Sequence, residues 1–106
     1  MIYRMRIYDV VRENLDQFNA FFEDHLLPTQ LRHGARLVGR WSTDDGRVVA
    51  IWEYDSRAEH ERIQKAVTSD PATAHAQQVR AQLPALFASM SETFMASTLR
   101  EPQRRG

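Results

Sequence analysis

Cysteine is absent from this 106-residue chain, which excludes disulfides, thiolate nucleophiles and cysteine-ligated zinc. Glycine and proline are scarce, with four of each, and the sequence holds no glycine-rich loop of the kind that cradles a phosphate. The histidines form neither an HExxH motif nor a pair spaced four residues apart. We therefore expect no metal site, and no residue pattern indicates a cofactor.

An excess of charge of one sign is also lacking, as are long apolar runs. The 14 lysines and arginines balance 14 aspartates and glutamates, and this scattered charge argues against a nucleic-acid partner. No apolar run approaches the roughly 18 residues that a membrane span needs. Residues 1–6 lack the apolar core of a signal peptide, so a cytoplasmic protein is expected.

What the chain does contain is a regular succession of strand and helix patterns. Alternation of apolar and polar residues predicts four strands, at residues 2–8, 35–43, 47–54 and 91–99. A first helix is predicted from about residue 15, with Asn14 as its cap and a kink at Pro28, whose ring cannot continue the hydrogen-bond ladder. Further helical segments are predicted after Ser56, which begins a capping box, and after the pair Asp70–Pro71.

The order strand, helix, strand, strand, helix, strand is typical of the ferredoxin-like βαββαβ fold. We therefore predict an α+β protomer with an antiparallel four-stranded sheet. One domain is expected at residues 1–99, and residues 100–106 are expected to form a frayed polar tail.

Two helical segments can cover only one face of such a sheet, so the other face needs a partner. The apolar set of the first strand suits a covering helix: Tyr3, Met5 and Ile7. The mixed set is expected to face away from the helices: Ile2, Arg4, Arg6 and Tyr8. A second copy related by a two-fold axis would cover that mixed face, so we expect a homodimer that pairs through its sheets.

A set of aromatic and arginine residues is the strongest candidate site. Arg6, Tyr8, Trp52 and Tyr54 are predicted to share one face of adjacent strands. Such a mixture binds flat or anionic ligands by stacking and by a fixed guanidinium, and it is also favoured at subunit contacts. The interface interpretation is preferred. Trp41 is predicted to lie on one face with Leu37 and Gly39, where the glycine leaves room for a ligand or for a helix side chain.

His25 is the candidate proton-transfer residue, because it lies on the apolar stripe of the first helix just before Pro28. The alternative is a histidine at the edge of the core, hydrogen-bonded to the loosened backbone. His33 is expected to cap the end of its helix. His60 and His75 are expected to face solvent, because they lie in polar helical stretches.

Four stretches of the sequence together resemble the NIPSNAP family. They are residues 5–8 (MRIY), residues 33–39 (HGARLVG) with Trp41 after them, residues 48–56 (VVAIWEYDS), and the pair at 70–71 (DP). The resemblance extends over about residues 2 to 99. It implies a dimeric α+β barrel, a fold shared with cofactor-free monooxygenases, haem-degrading enzymes and stress-response proteins. It supplies no catalytic motif, so a shared fold is only an analogy for activity.

Two hypotheses for function remain open. In the first, the protein is a small binding or enzymatic module whose cleft between helix and sheet binds a small apolar, aromatic or quinone-like molecule. Oxygenation of that molecule without a cofactor is the candidate reaction, by analogy to relatives of the barrel fold. His25 would then move the proton, Trp41 and Trp52 would form the walls, and Arg6 and Tyr8 would orient the ligand. In the second, the protein is a non-enzymatic dimer that senses a ligand or contacts other proteins, and the same aromatic residues serve the interface.

Overall fold

The computed structural model describes residues 1–100, and its strands form one antiparallel sheet. The strands are β1 (Ile2–Val10), β2 (Arg36–Ser42), β3 (Arg47–Tyr54) and β4 (Phe87–Met95). Their order across the sheet is β2-β3-β1-β4, which is the predicted ferredoxin-like arrangement. The tail predicted at residues 100–106 lies, apart from Arg100, outside the described residues.

Helices of the described chain cover one face of this sheet. They are α1 (Leu15–Phe21), α2 (Leu27–Arg32), α3 (Arg57–Ser69) and α4 (Pro71–Ala81). The predicted caps of the last two are confirmed, because the side chains of Ser56 and Asp70 accept hydrogen bonds from the backbone of α3 and α4. None of the helices in residues 1–100 has the length and apolar character needed to cross a membrane.

The first helical segment changes its hydrogen-bond pattern just before Pro28, where a kink was predicted. A π turn, Phe22–Leu26, joins α1 to α2 and places Pro28 in the first turn of α2, where its missing N–H costs no hydrogen bond. The predicted capping role of Asn14 is wrong. Its side chain instead donates to the carbonyl of Ala85 at 2.8 Å, which ties the start of the helix to the segment before β4.

The boundaries of β4 differ from the predicted strand at residues 91–99. The strand begins at Phe87 and ends at Met95, which pair with Val10 and Tyr3 of β1. Because β1 begins at Ile2, residues 97–99 have no partner on it. A register shift next to Val10 lets Phe87 join the ladder. The other three strands lie within two residues of their predicted limits, and β3 matches them at both ends.

The predicted orientation of β1 is wrong, because its mixed face lies under the helices. Arg4 is only 5% exposed, and the ring of Tyr8 packs edge-on against Phe18 of α1, with 5.1 Å between ring centroids. On β3 the buried set is Val48, Ala50, Trp52 and Tyr54, all at most 3% exposed. The core therefore forms between these residues and the helices, and Arg4 and Arg6 belong to the covered side.

The opposite face of the sheet is open and has an apolar centre. Met5 pairs with Ile51 and Ile7 pairs with Val49 at its centre, and the side chains of all four are half-buried. Trp41 of β2 stands opposite Val49 and is 51% exposed. Sheet faces of this kind are normally covered in solution, because exposed apolar surface in contact with water is unfavourable.

The prediction that Trp41 lies on the same face as Leu37 is wrong, because β2 contains a β-bulge at Val38. The register of β2 shifts between Leu37 and Gly39, so Leu37 lies on the helix side and Gly39 on the open side. The indole of Trp41 folds back over Gly39 so closely that a Cβ there would come within 2.3 Å of the ring. The space beside Gly39 therefore holds Trp41 itself, rather than a ligand or a helix side chain.

Candidate ligand-binding site

A cleft between the sheet and the helices brings together residues from distant parts of the sequence. Its inner cavity, of about 120 Å³, is bordered by Arg4, Arg6, Tyr8 and Trp52 of the sheet and by His25 of the π turn. An outer cavity of about 240 Å³ adjoins it. The two share four lining residues: Arg6, Tyr8, Leu26 and Thr73. The two cavities therefore lie side by side between the sheet and the helices, and together they are called the cleft, which has an aromatic and cationic lining.

Of the residues predicted from the sequence, four line the inner cavity: Arg6, Tyr8, Trp52 and His25. The other two lie elsewhere. Trp41 is on the open face of the sheet, so it cannot form a wall of the cleft together with Trp52. Tyr54 is fully buried on the covered face, with its ring beside His60 of α3.

The π turn presents His25 to the cleft. A π turn inserts an extra residue into the helix, and such turns occur often at functional sites. The imidazole is partly exposed, and its ring centroid lies 5.6 Å from that of Phe21 and 5.7 Å from that of His75. It is therefore within reach of both solvent and the cleft, which are the two places between which a proton shuttle has to move its proton.

Arg4 and Arg6 carry the positive charge of the sheet into the cleft. The guanidinium of Arg4 lies 6.0 Å from the ring of Trp52 and donates from Nη1 to Oε1 of Glu92 at 3.4 Å. Arg6 Nε is 3.8 Å from the same carboxylate oxygen. Burial, and secondarily the neighbouring Arg6, lower the pKa of Arg4, although guanidinium remains charged throughout the ordinary pH range.

Two further arginines lie between the sheet and the helices, and no role was predicted for them from the sequence. Arg40 lies between two rings of the helix, 4.7 Å from Phe18 and 4.5 Å from Phe22, and burial lowers its pKa. Arg80 of α4 lies 4.8 Å from the ring of Phe87 and borders the outer cavity. Their roles depend on cation–π contacts between separate elements, which a linear pattern does not reveal.

The prediction that His60 faces solvent is wrong. Its ring lies edge-on between two aromatic rings, 4.8 Å from Tyr54 and 5.0 Å from Phe94, and both ring nitrogens are buried without a hydrogen-bond partner. His75, in contrast, is exposed as predicted. Polar residues flank His60 in the sequence, so the sequence pattern did not indicate that the sheet covers its ring.

Burial lowers the pKa of His60, and the charges around it act in both directions. Arg4 and Arg57 lower the pKa further, whereas the carboxylates of Glu92 and Glu61 raise it. Desolvation is the largest of these effects, so the neutral imidazole is the favoured form in the fold.

His33 joins two elements rather than capping its own helix alone. Its Nε2 lies 2.8 Å from Oδ2 of Asp70, and Arg32 donates to the same oxygen at 2.8 Å. Asp70 also caps α4 through Ala72. The hydrogen bond from Arg32, followed by those from Ala72 and His33, holds the pKa of Asp70 well below its usual range. Across residues 1–100, no histidine, aspartate and glutamate side chains gather into a metal-binding group.

Comparison with known proteins identifies relatives of the same fold. The NIPSNAP family model matches residues 3–99. A NIPSNAP domain protein from Burkholderia xenovorans is 22% identical, with a TM-score of 0.83 over 97% of this chain and 100% of its own. A NIPSNAP family protein from Agrobacterium tumefaciens is 19% identical, with a TM-score of 0.81 over 97% of this chain and 98% of its own.

More distant structures share the same architecture. A protein from Nitrosomonas europaea, provisionally named an antibiotic biosynthesis monooxygenase, is 10% identical, with a TM-score of 0.66 over 93% of this chain and 100% of its own. No curated protein matches the chain. At these identities the structural likenesses establish the fold alone, including the predicted ferredoxin-like class.

Replacing His60 by Phe removes the titrating ring and keeps an aromatic group between Tyr54 and Phe94. Because the pKa of His60 is lowered in the fold, the unfolded chain takes up the proton first as pH falls through about 6.5. Wild-type stability is therefore expected to fall between about pH 7.5 and about pH 5.5, and the stability of H60F to fall less. Urea unfolding at the two pH values measures both changes.

The matched control is H75Q, which removes an exposed histidine and should keep the wild-type pH dependence. Equal pH dependence of H60F and wild type would show that His60 is not desolvated in the fold.

Proposed function

The chain belongs to the NIPSNAP family, and we propose that it is a cytoplasmic homodimer whose helix–sheet cleft binds a small planar aromatic molecule. The observation that carries this proposal is the lining of the inner cavity, where Tyr8, Trp52 and two arginines meet His25. Aromatic rings bind a planar ligand by stacking, and guanidinium groups stack on it or donate hydrogen bonds to its oxygens.

The size of the cleft limits the ligand. The inner and outer cavities, of about 120 Å³ and about 240 Å³, are smaller than the roughly 300–1,000 Å³ pockets that hold drug-sized molecules. A compound of one or two fused rings therefore fits better than a polycyclic one. The outer cavity adds the rings of Phe18, Phe21 and Phe87 to the walls, so most of the ligand surface would contact apolar groups.

We propose that the protein dimerises through the open face of the sheet. The face that carries Arg4 and Arg6, which was expected from the sequence to form the dimer contact, is covered by the helices instead. Met5, Ile7, Val49 and Ile51 form an apolar centre on that face, with Trp41 beside them. A second copy that presents the same face would cover this surface symmetrically. The contacts of Trp52 with Phe22 and Arg4 lie within one protomer, so Trp52 is assigned to the cleft and not to the interface.

Ile51→Lys is expected to separate the dimer, because it would bury an unpaired ammonium at the centre of the interface. Light scattering coupled to size-exclusion chromatography should give twice the chain mass of 12.3 kDa for wild type and the chain mass itself for I51K. The control is Leu31→Lys, at an apolar position 50% exposed on α2, which should remain dimeric. A wild-type protein that elutes as a monomer would refute this part of the proposal.

Menadione, a neutral two-ring quinone, is a suitable probe of the cleft, since a chain without cysteine cannot react with it through a thiol. We expect calorimetry to detect saturable binding to wild type. Ala76→Leu should weaken that binding about tenfold or more, because Ala76 is 2% exposed at the wall of the outer cavity and a larger side chain would fill it.

The matched control is Ala74→Leu, which enlarges an exposed residue of the same helix and should bind menadione as wild type does. Circular dichroism checks that both variants fold. Equal affinities of well-folded A76L and A74L would exclude the cleft as the binding site.

His25 favours a second candidate function, cofactor-free monooxygenation, because an imidazole at the cavity wall can accept a phenolic proton. With α-naphthol as substrate, one atom of dioxygen would become the new carbonyl oxygen and the other would leave as water, giving para-naphthoquinone. The fold shared with the Nitrosomonas protein supports this chemistry only by analogy.

Chromatographic detection of para-naphthoquinone from α-naphthol and dioxygen tests the enzymatic candidate. If His25 accepts the proton, H25Q should lose most of the turnover, a loss on the order of 10²-fold or more, while H75Q should keep it. Binding of α-naphthol without turnover by wild type would instead favour the non-enzymatic alternative, a dimeric ligand-sensing protein.

A further inference from the structure

The helix–sheet cleft holds more positive charge than its own residues neutralise. Arg4, Arg6 and Arg80 all border it. Among the described residues, Glu92 is the carboxylate within ion-pair distance of Arg4 and Arg6, and it serves both. Arg80 forms no ion pair with any residue of the described chain and lies against the ring of Phe87. From this imbalance we infer that the ligand of the cleft carries a negative charge, held by Arg6 and Arg80.

Arg6 has hydrogen-bond donors to spare. Its Nε is buried without a hydrogen-bond partner and lies 3.8 Å from the carboxylate of Glu92, beyond hydrogen-bonding distance. Its Nη2 donates to the sulfur of Met90 at 3.6 Å, and a thioether is a weak acceptor. The side chain is 28% exposed and borders both cavities of the cleft. An oxygen anion in the cleft would accept charge-assisted hydrogen bonds from the exposed part of this guanidinium.

Arg80 supplies the second positive charge from the helix side. It lies in the last turn of α4 and borders the outer cavity, which Arg6 borders from the sheet. The apolar wall of that cavity includes Phe18 and Phe87. A ligand with its rings against the phenylalanines and its charged oxygen near the two arginines uses both kinds of lining at once.

The chemical class of the ligand follows from these two linings. It is an aromatic compound of one or two rings with an ionised oxygen on the ring system, as a carboxylate, phenolate or enolate. An ionised oxygen would give Arg80 an ion-pair partner and would give Arg6 a second one beside the carboxylate of Glu92, which Arg6 shares with Arg4. This inference rests on the proposed function, since it specifies the ligand of the same cleft.

Lawsone and menadione form a matched pair of probes for the charge. Both are two-ring quinones, and lawsone carries a hydroxyl, ionised at neutral pH, where menadione carries a methyl group. Calorimetry on the wild-type protein should find lawsone bound about tenfold more tightly or better, the usual gain from a charge-assisted hydrogen bond. That advantage should shrink as salt is added.

Variants of the two arginines test whether these residues bind the charged oxygen of lawsone. Arg6→Gln and Arg80→Gln should each abolish most of the preference for lawsone, measured as the ratio of the lawsone affinity to the menadione affinity of the same variant. Arg80 is exposed on its helix, so R80Q tests the inference even where R6Q affects folding. The control is Arg57→Gln on α3, whose guanidinium lies over Phe94 outside the cleft, and it should retain the preference.

The outcomes separate this inference from the proposed function. If menadione binds and lawsone binds no more tightly, or if neither R6Q nor R80Q changes the preference, the anionic ligand is overturned while the aromatic cleft stands. If neither quinone binds, the proposed function itself fails. Tighter binding of lawsone that both variants selectively lose supports the two together.

Discussion

The guanidinium of Arg4 is the constraint on which the arrangement of this protein depends. It lies in the layer between sheet and helices, 5% exposed, between the rings of Trp52 and Tyr54 and within hydrogen-bonding distance of Glu92. A buried cation needs such partners, because loss of its hydration is otherwise unfavourable by several kcal/mol. These partners lie on the covered side of β3 and β4, so the burial of Arg4 beside them places the alternate residues of β1 on the open face.

Two properties of the molecule follow from that orientation. The alternate residues of β1, Met5 and Ile7, turn outward and join Ile51 on a face that no element of the described chain covers. Arg6 turns inward and contributes its charge to the cleft that the π turn opens beside His25. The proposed dimer surface and the proposed ligand site are therefore opposite faces of one sheet, and the period of two along β1 separates them.

The sequence predicted the order of elements, because turns, caps and alternation are local properties. Ser56 and Asp70 begin helices as their side chains require, and β3 follows its alternation at both ends. The side of the sheet that faces the helices was not predictable in this way. Hydrophobicity favours burying Met5 rather than Arg4, whereas the contacts of Arg4 with aromatic rings and with Glu92 depend on how the strands pair in three dimensions.

The candidate site was predictable in part for the same reason. Parity along neighbouring strands grouped Arg6, Tyr8 and Trp52 correctly on one face, but a bulge at Val38 moved Trp41 away from Leu37.

The most direct measurement is a crystal structure of the protein with lawsone. We expect the quinone to lie between the sheet and α4, with its ionised oxygen within hydrogen-bonding distance of Arg6. Lawsone bound on the open face beside Trp41, with the cleft empty, would contradict it.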